Sequence, residues 1–142
     1  MRTTLMPANV GSVRELRRPE RDPAAEGRHL HPAALPQWRA LLEFGWQERL
    51  ERVTQLSLAF HEAAEAAADP ASDPDARHAA RQRANRIGHR TVIHRRALAD
   101  IEAALTRLAI GRFGRCEQCG DAIAIGRLTE MPQAAYCAEC AA

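Results

Sequence analysis

The sequence contains no lysine: all 20 of its Lys-plus-Arg positions are arginine. Aromatic residues make up only 4%, so any core must be built from a few large side chains placed economically. No apolar run approaches the roughly 18–20 residues of a membrane span, so none is expected. The N-terminal "MRTTLMPANVGSVREL" carries no apolar core of signal-peptide length. The expected location is therefore the cytoplasm, where thiols stay reduced and cysteines favour metal over disulfides. Catalytic signatures are missing as well. There is no nucleophile–base pair, no phosphate-binding loop and no metal constellation with an open position, so an enzyme is not expected. A formal charge of +2 is too small to imply a polyanionic partner.

What is present is helix. Residues 1–32 mix Arg, acids, Pro and Gly without apolar periodicity and read as a disordered tail. The pair His29 and His31 within it reads as solvent-exposed. From 33 to 68 the apolar residues Leu35, Trp38, Leu42, Trp46, Leu50, Val53, Leu56, Phe60, Ala64 and Ala67 recur at steps of three and four, one helical face. A second helix is expected over 75–110. Asp73 is a plausible N-cap and Pro74 fits the first helical position. Its face runs through Ala76, Ala80, Ala84, Ile87, Thr91, His94, Leu98, Ile101, Leu105 and Leu108. Gly111 and Gly114 supply stop signals.

A short turn at about 69–75 between two helices of nearly equal length makes them antiparallel neighbours, with facing residue numbers adding to about 143. Leu105 then meets Trp38, Ile101 meets Leu42, and Ile87 meets Leu56. The two faces, read independently, align under one register, which predicts an all-α, antiparallel coiled-coil hairpin spanning 33–110. At 1.5 Å per residue it is about 54 Å long. Its large side chains lie far from the turn and alanines lie near it, so it should taper toward the tip. Thr91 and His94 place polar groups in the seam. Residues 33–69 carry three Arg against six acids and residues 75–115 ten Arg against three, a pattern suited to complementary flanks. The simpler outcome is two solvated faces with mild attraction.

The chain closes with Cys116, Cys119, Cys137 and Cys140, spaced C-x2-C-x17-C-x2-C. Two knuckles of this kind aim four thiolates at one point, the pattern of a structural zinc site in a small C-terminal module over 111–142. All four cysteines are used. Gly120 permits the tight turn after the first knuckle, and Arg112, Arg115 and Arg127 are placed to offset thiolate charge.

The segment "LTRLAIGRFGRCEQCGDAIAIGRLTEMPQAAYCAEC" (105–140) resembles the DksA/TraR family of bacterial C4 zinc-finger proteins. The likeness is carried by F-G-x-C-x-x-C-G, by Ile123, Arg127 and Leu128, by Pro132 and by the closing C-x-x-C. The resemblance implies a transcription regulator that binds RNA polymerase rather than promoter DNA. Its zinc end would rest at the rim of the secondary channel and the coiled coil would carry acidic tip residues toward the catalytic centre. For several members it also implies action together with ppGpp. The candidate tip residues here are Asp73 and Asp75, with Asp69 third. The chain is expected to be a monomer with no sequence-specific DNA binding.

Three features depart from the family pattern. The tip "DPASDPDARHAA" does not reproduce the family's D-x-x-D-x-A. A basic family position on the second helix falls on Asp100, with Arg95 and Arg96 nearby. The sequence ends two residues after Cys140, where many members continue with a helix that supports polymerase and ppGpp contacts. A zinc-binding coiled-coil module serving a different protein partner is therefore the alternative. Direct nucleic-acid binding, which the Arg-rich second helix would allow, lacks an aromatic stacking platform.

Overall fold

The structure, a computed structural model, describes residues 30–142. The expected tail falls almost wholly outside the described residues, His29 included. His31 lies inside them, where its Nδ1 accepts from the Ala33 N–H at 3.1 Å and caps a short 3-10 turn, Pro32–Ala34. Leu30 packs against the C-terminal module.

Helix α1 spans Leu35–Ala68 and α2 spans Pro74–Ala109. They lie side by side as an antiparallel pair joined by the five residues 69–73. A third, short helix α3, Ile125–Glu130, belongs to the C-terminal module. Among the described residues there is no β-strand, only an isolated bridge between Arg115 and Ala122. The all-α hairpin with its cysteine module is thus the fold.

The α2 termini are specified locally. Asp73 caps the start, its Oδ1 accepting from the N–H groups of Asp75 at 2.9 Å and Ala76 at 3.1 Å, with Pro74 in the first turn. The end is a Schellman closure: the Arg112 N–H donates to Arg107 O at 2.8 Å and the Gly111 N–H to Leu108 O at 3.3 Å. Gly111 has φ +75°, a left-handed conformation that disfavours a Cβ.

The apolar interior divides in two. The larger cluster sits at the base, where Leu42, Ile101, Ala104 and Leu108 meet Phe113, Ile123, Leu128 and Ala134. Trp38 stacks obliquely on Phe113 with ring centroids 5.8 Å apart. The smaller cluster, Leu56, Ala63, Ala84 and Ile87, lies nearer the tip. The predicted partners Leu42 and Ile101 share the first cluster and Leu56 and Ile87 the second, so the register holds, with alanines entering the seam toward the tip. Between the clusters the seam is polar, with Arg49 and His94 in contact and Thr91 bonded back to its own helix through Ile87 O at 2.8 Å.

The face expected of α1 shifts. Leu50 and Phe60 lie on the flank, 39% and 37% exposed, and Ala63 rather than Ala64 faces inward. Arg49 takes the seam position between Trp46 and Leu56. The acidic and basic flanks do not form ion pairs with one another: among the described residues the one pair within 4.0 Å is Arg107–Glu117, at 3.8 Å. Glu62 and Arg83 line the same groove without pairing. Their long side chains reach into water, where such a pair is worth only about 0–1 kcal/mol.

Candidate metal centre and hairpin tip

Two loops build the cysteine site. The first follows the hairpin. Gly114 (φ +76°) turns the chain beneath Leu30 and Leu128, where a Cβ would lie 3.4 Å from Leu30 Cδ2. Its carbonyl then accepts from the Ile123 N–H at 2.8 Å. Within the knuckle the Cys116 N–H donates to Asp121 O at 2.8 Å, and the Gly120 N–H returns to Cys116 O at 2.9 Å. Gly120 has φ +77°, so the turn expected of it is made. The second loop carries Cys137 and Cys140 and closes with the Ala141 N–H on Cys137 O at 3.0 Å. The two loops are joined directly by the Glu117 N–H donating to Ala135 O at 2.9 Å.

This framework brings Cys116, Cys119, Cys137 and Cys140 together with all four sulfurs within 4.8 Å of one another. The Cys119 and Cys137 sulfurs are 3.9 Å apart. A regular tetrahedron with Zn–S near 2.3 Å has S–S edges of about 3.8 Å, so the spacing fits one zinc ion. Cys116 is buried and receives backbone N–H groups, that of Cys119 foremost, which hold its thiol down at about 6. A hydrogen bond with the Cys137 thiol, together with burial, pushes Cys140 up to about 12. Four thiols this close cannot all ionise without a cation among them, and a divalent ion supplies the compensating charge. Four protein sulfurs fill a tetrahedral shell and leave no position for substrate, so the ion's part is structural.

The arginines near the site act on backbone carbonyls. Arg115 Nη1 donates to Gly120 O at 3.4 Å and Arg127 Nε to Tyr136 O at 2.9 Å, each holding one cysteine loop. Arg112 contributes its backbone to the closure of α2. Sequence reasoning missed Arg107. Only 6% exposed, it donates from Nη2 to Gln133 O at 3.0 Å and Ala134 O at 3.5 Å, and its Nη1 faces Glu117. One guanidinium thus ties α2 to both cysteine loops. A charged residue beside an apolar helical face ordinarily reads as solvent-exposed. The one sequence signal was its place inside the recognisable segment that begins at Leu105.

The three acids chosen for the tip are all exposed, Asp69 and Asp73 in the connection between the helices and Asp75 in the first turn of α2. Two of them are engaged in holding the turn. Asp69 Oδ1 accepts from the Ala71 N–H at 2.9 Å and its Oδ2 from the Ser72 hydroxyl at 3.1 Å. Asp73 caps α2. The Asp75 carboxylate makes no hydrogen bond among the described residues. A helix of 36 residues sets this tip about 54 Å from the cysteine module. No helix among the described residues is long and apolar enough to cross a membrane.

Residues 111–142 match the family described as the prokaryotic dksA/traR C4-type zinc finger. A protein of Aquifex aeolicus (strain VF5), itself described as uncharacterized, is 43% identical over 44 residues, 31% of this chain and 30% of that protein. The structure of transcription factor DksA2 from Pseudomonas aeruginosa superimposes with a TM-score of 0.69 at 24% identity, covering 85% of this chain and 88% of that one. The family match is thus confined to the zinc-finger module, and along the hairpin the likeness to DksA2 is one of fold.

Proposed function

We propose that this chain regulates transcription by direct protein–protein contact with RNA polymerase, its hairpin entering the secondary channel with the tip leading. The observation that carries this reading is the shared fold: a long two-helix stalk on a C4 zinc module, alike over 85% of the chain to transcription factor DksA2. The stalk has the reach for the task, about 54 Å. Toward the tip Ala63 and Ala84 join Leu56 and Ile87 in the seam, and small side chains there suit a narrow channel. The zinc module and Arg107 fix the base from which the stalk projects. At the tip Asp69 and Asp73 shape the turn, and Asp75 presents a free carboxylate to whatever the tip meets.

In vitro transcription with purified polymerase on a panel of promoters tests the reading. The wild-type chain should change initiation at a subset of promoters. Asp75→Asn should remove that change without lowering affinity for polymerase. An unchanged response with Asp75→Asn would take the tip out of the mechanism.

One observation favours a second reading, a zinc-bearing coiled-coil module for another protein partner. Two of the three tip acids are committed to holding the turn, which leaves a single free carboxylate. A partner other than polymerase subunits, bound stoichiometrically and tightly, would favour it. ppGpp as a co-ligand stays a proposal inherited from the resemblance, tested by whether the promoter response changes when it is added.

A further inference from the structure

The two grooves of the hairpin open on one side of the stalk. Glu48, Gln55 and Glu62, each seven residues from the next, line them from α1, and Arg83 and Arg86 line the second from α2. Seven residues are close to two turns, so the repeat adds neighbours to each stripe. On α1 these are Leu41, seven before Glu48, and Phe44, Leu58 and Glu65, at sevens from Glu51. On α2 they are Arg90, seven after Arg83, and Ile93, seven after Arg86. Arg96 follows Ile93 by three. The α1 edge of this side thus carries Glu48, Glu51, Glu62 and Glu65. The arginines that share the first groove with them, Arg49 and Arg52, lie inward of that edge, beside His94. The α2 edge carries Arg83, Arg86, Arg90 and Arg96. Its one acid, Asp100, lies toward the base, and residues 76–99 contain neither Asp nor Glu.

Neither edge satisfies the other within the chain. These acids and arginines are all exposed, and none has an opposite charge within 4.0 Å among the described residues. Apolar side chains stand among them: Phe44 is 62%, Leu58 61% and Ile93 65% exposed. A side that is acidic along one edge and basic along the other is complementary to itself. A half-turn about an axis parallel to the stalk lays α1 of each copy over α2 of the other at the same height. In the register of the hairpin, Glu48 then comes level with Arg96, Glu51 with Arg90, Leu58 with Arg86 and Glu62 with Arg83. A half-turn about an axis across the stalk would lay acid on acid and arginine on arginine.

We propose that this side is the interface of a homodimer, two copies packed in parallel as a four-helix stalk with both cysteine modules at one end. The interface is isologous, so every pairing occurs twice. Complementary charge fixes which edge meets which, and the exposed apolar residues supply surface to bury. The stretch from Leu41 to Glu65 is about 36 Å long and two helices are roughly 20 Å wide. That gives roughly 700 Å² on each copy, the size of a stable interface. The monomer expected from the sequence is the dissociated form. A dimeric stalk is two hairpins thick. On the polymerase reading, on which this consequence rests, only the monomer enters the channel, and self-association controls how much of the chain is available.

The measurement is sedimentation velocity of the full zinc-loaded chain over a concentration series. The wild type should pass from monomer to dimer below about 100 μM. Glu51→Arg combined with Glu62→Arg sets arginine against arginine and should weaken the dimer at least about tenfold. Arg83→Glu combined with Arg90→Glu sets acid against acid and should do the same. An equimolar mixture of the two variants restores opposite charges in both halves of the interface. It should dimerise as the wild type does, which also shows that both variants fold. Val92→Glu is the control. From Ile93 the chain turns one way to His94 and the seam and the other way to Val92, which therefore lies off this side. Its dimer should match the wild type. A wild type that stays monomeric at about 100 μM overturns the proposal. So do charge-reversed variants that dimerise unchanged, a mixture that stays monomeric, or an equal loss in Val92→Glu. Binding to core RNA polymerase, measured separately, keeps the two readings apart. A chain that dimerises without binding polymerase keeps the interface and loses the polymerase reading, and one that binds polymerase but never dimerises does the reverse.

Discussion

Arg49 Nη1 lies 3.4 Å from His94 Nδ1 across the hairpin seam. A guanidinium can only donate, so the contact requires a lone pair on Nδ1 and hence a neutral imidazole. Burial lowers the His94 pKa, and the charges of Arg49, Arg52 and Arg90 lower it further. These arginines come from both helices around the ring, and Glu48 and Glu51 line the same groove. The middle of the stalk is thus a polar layer between two apolar clusters.

That layer makes stability depend on pH. The folded His94 binds its proton below the ordinary histidine pKa, so the unfolded chain takes up more protons as pH falls. The stabilisation is complete above about 6.5 and is lost as pH drops from there through the folded value. Denaturation midpoints measured from pH 7.5 to 5 should fall more steeply in the wild type than in His94→Gln. An NMR titration should show the His94 pKa moving up toward the ordinary value in Arg49→Gln.

Gly45 weakens α1 without being required by it. A Cβ there would meet Ile101 Cδ1 at 3.7 Å, ordinary van der Waals contact, and its φ is not left-handed. Gly45→Ala should raise stability by about 0.5–1 kcal/mol from helix propensity alone. Chemical denaturation checks it, and a loss of stability would mean that the helices approach more closely at this point.

Arg107 carries the junction between stalk and module. Arg107→Ala leaves the carbonyls of Gln133 and Ala134 without their donor and should cost about 1.5–3 kcal/mol, the range for hydrogen bonds to a charged group. It should also loosen zinc retention against a chelator. Arg107→Lys should recover only part, because an ammonium cannot reproduce the planar fork.

Zinc should be present at one per chain and be lost from Cys119→Ser and Cys137→Ser. Because metal binding in such modules is folding energy, chelation should collapse hydrogen-exchange protection at Ile123 and Leu128, which pack behind the site. Protection near Leu56 and Ile87, in the separate cluster nearer the tip, should survive.

The sequence made some of this legible and concealed the rest for physical reasons. Cysteine spacing announces itself because only a few backbone arcs can aim four thiolates at one point. The antiparallel register was readable because bulky partners such as Leu42 and Ile101 leave little freedom. Toward the tip that constraint fades. Alanine costs little whether it faces in or out, so Ala63 and Ala64 are not distinguishable by pattern. A run of three- and four-residue steps also drifts from the seam, which is how Leu50 and Phe60 came to stand on the flank and Arg49 in the seam. Arg107 was hidden because its partners are backbone carbonyls about 26 residues away, which no local pattern records.

The proposed occupancy of the polymerase secondary channel is tested most directly by competition. Labelled, zinc-loaded protein is bound to core RNA polymerase and an established secondary-channel factor is titrated in. Saturable one-to-one binding and complete displacement by the competitor are expected. Failure to bind, or binding that the competitor leaves untouched, would contradict it.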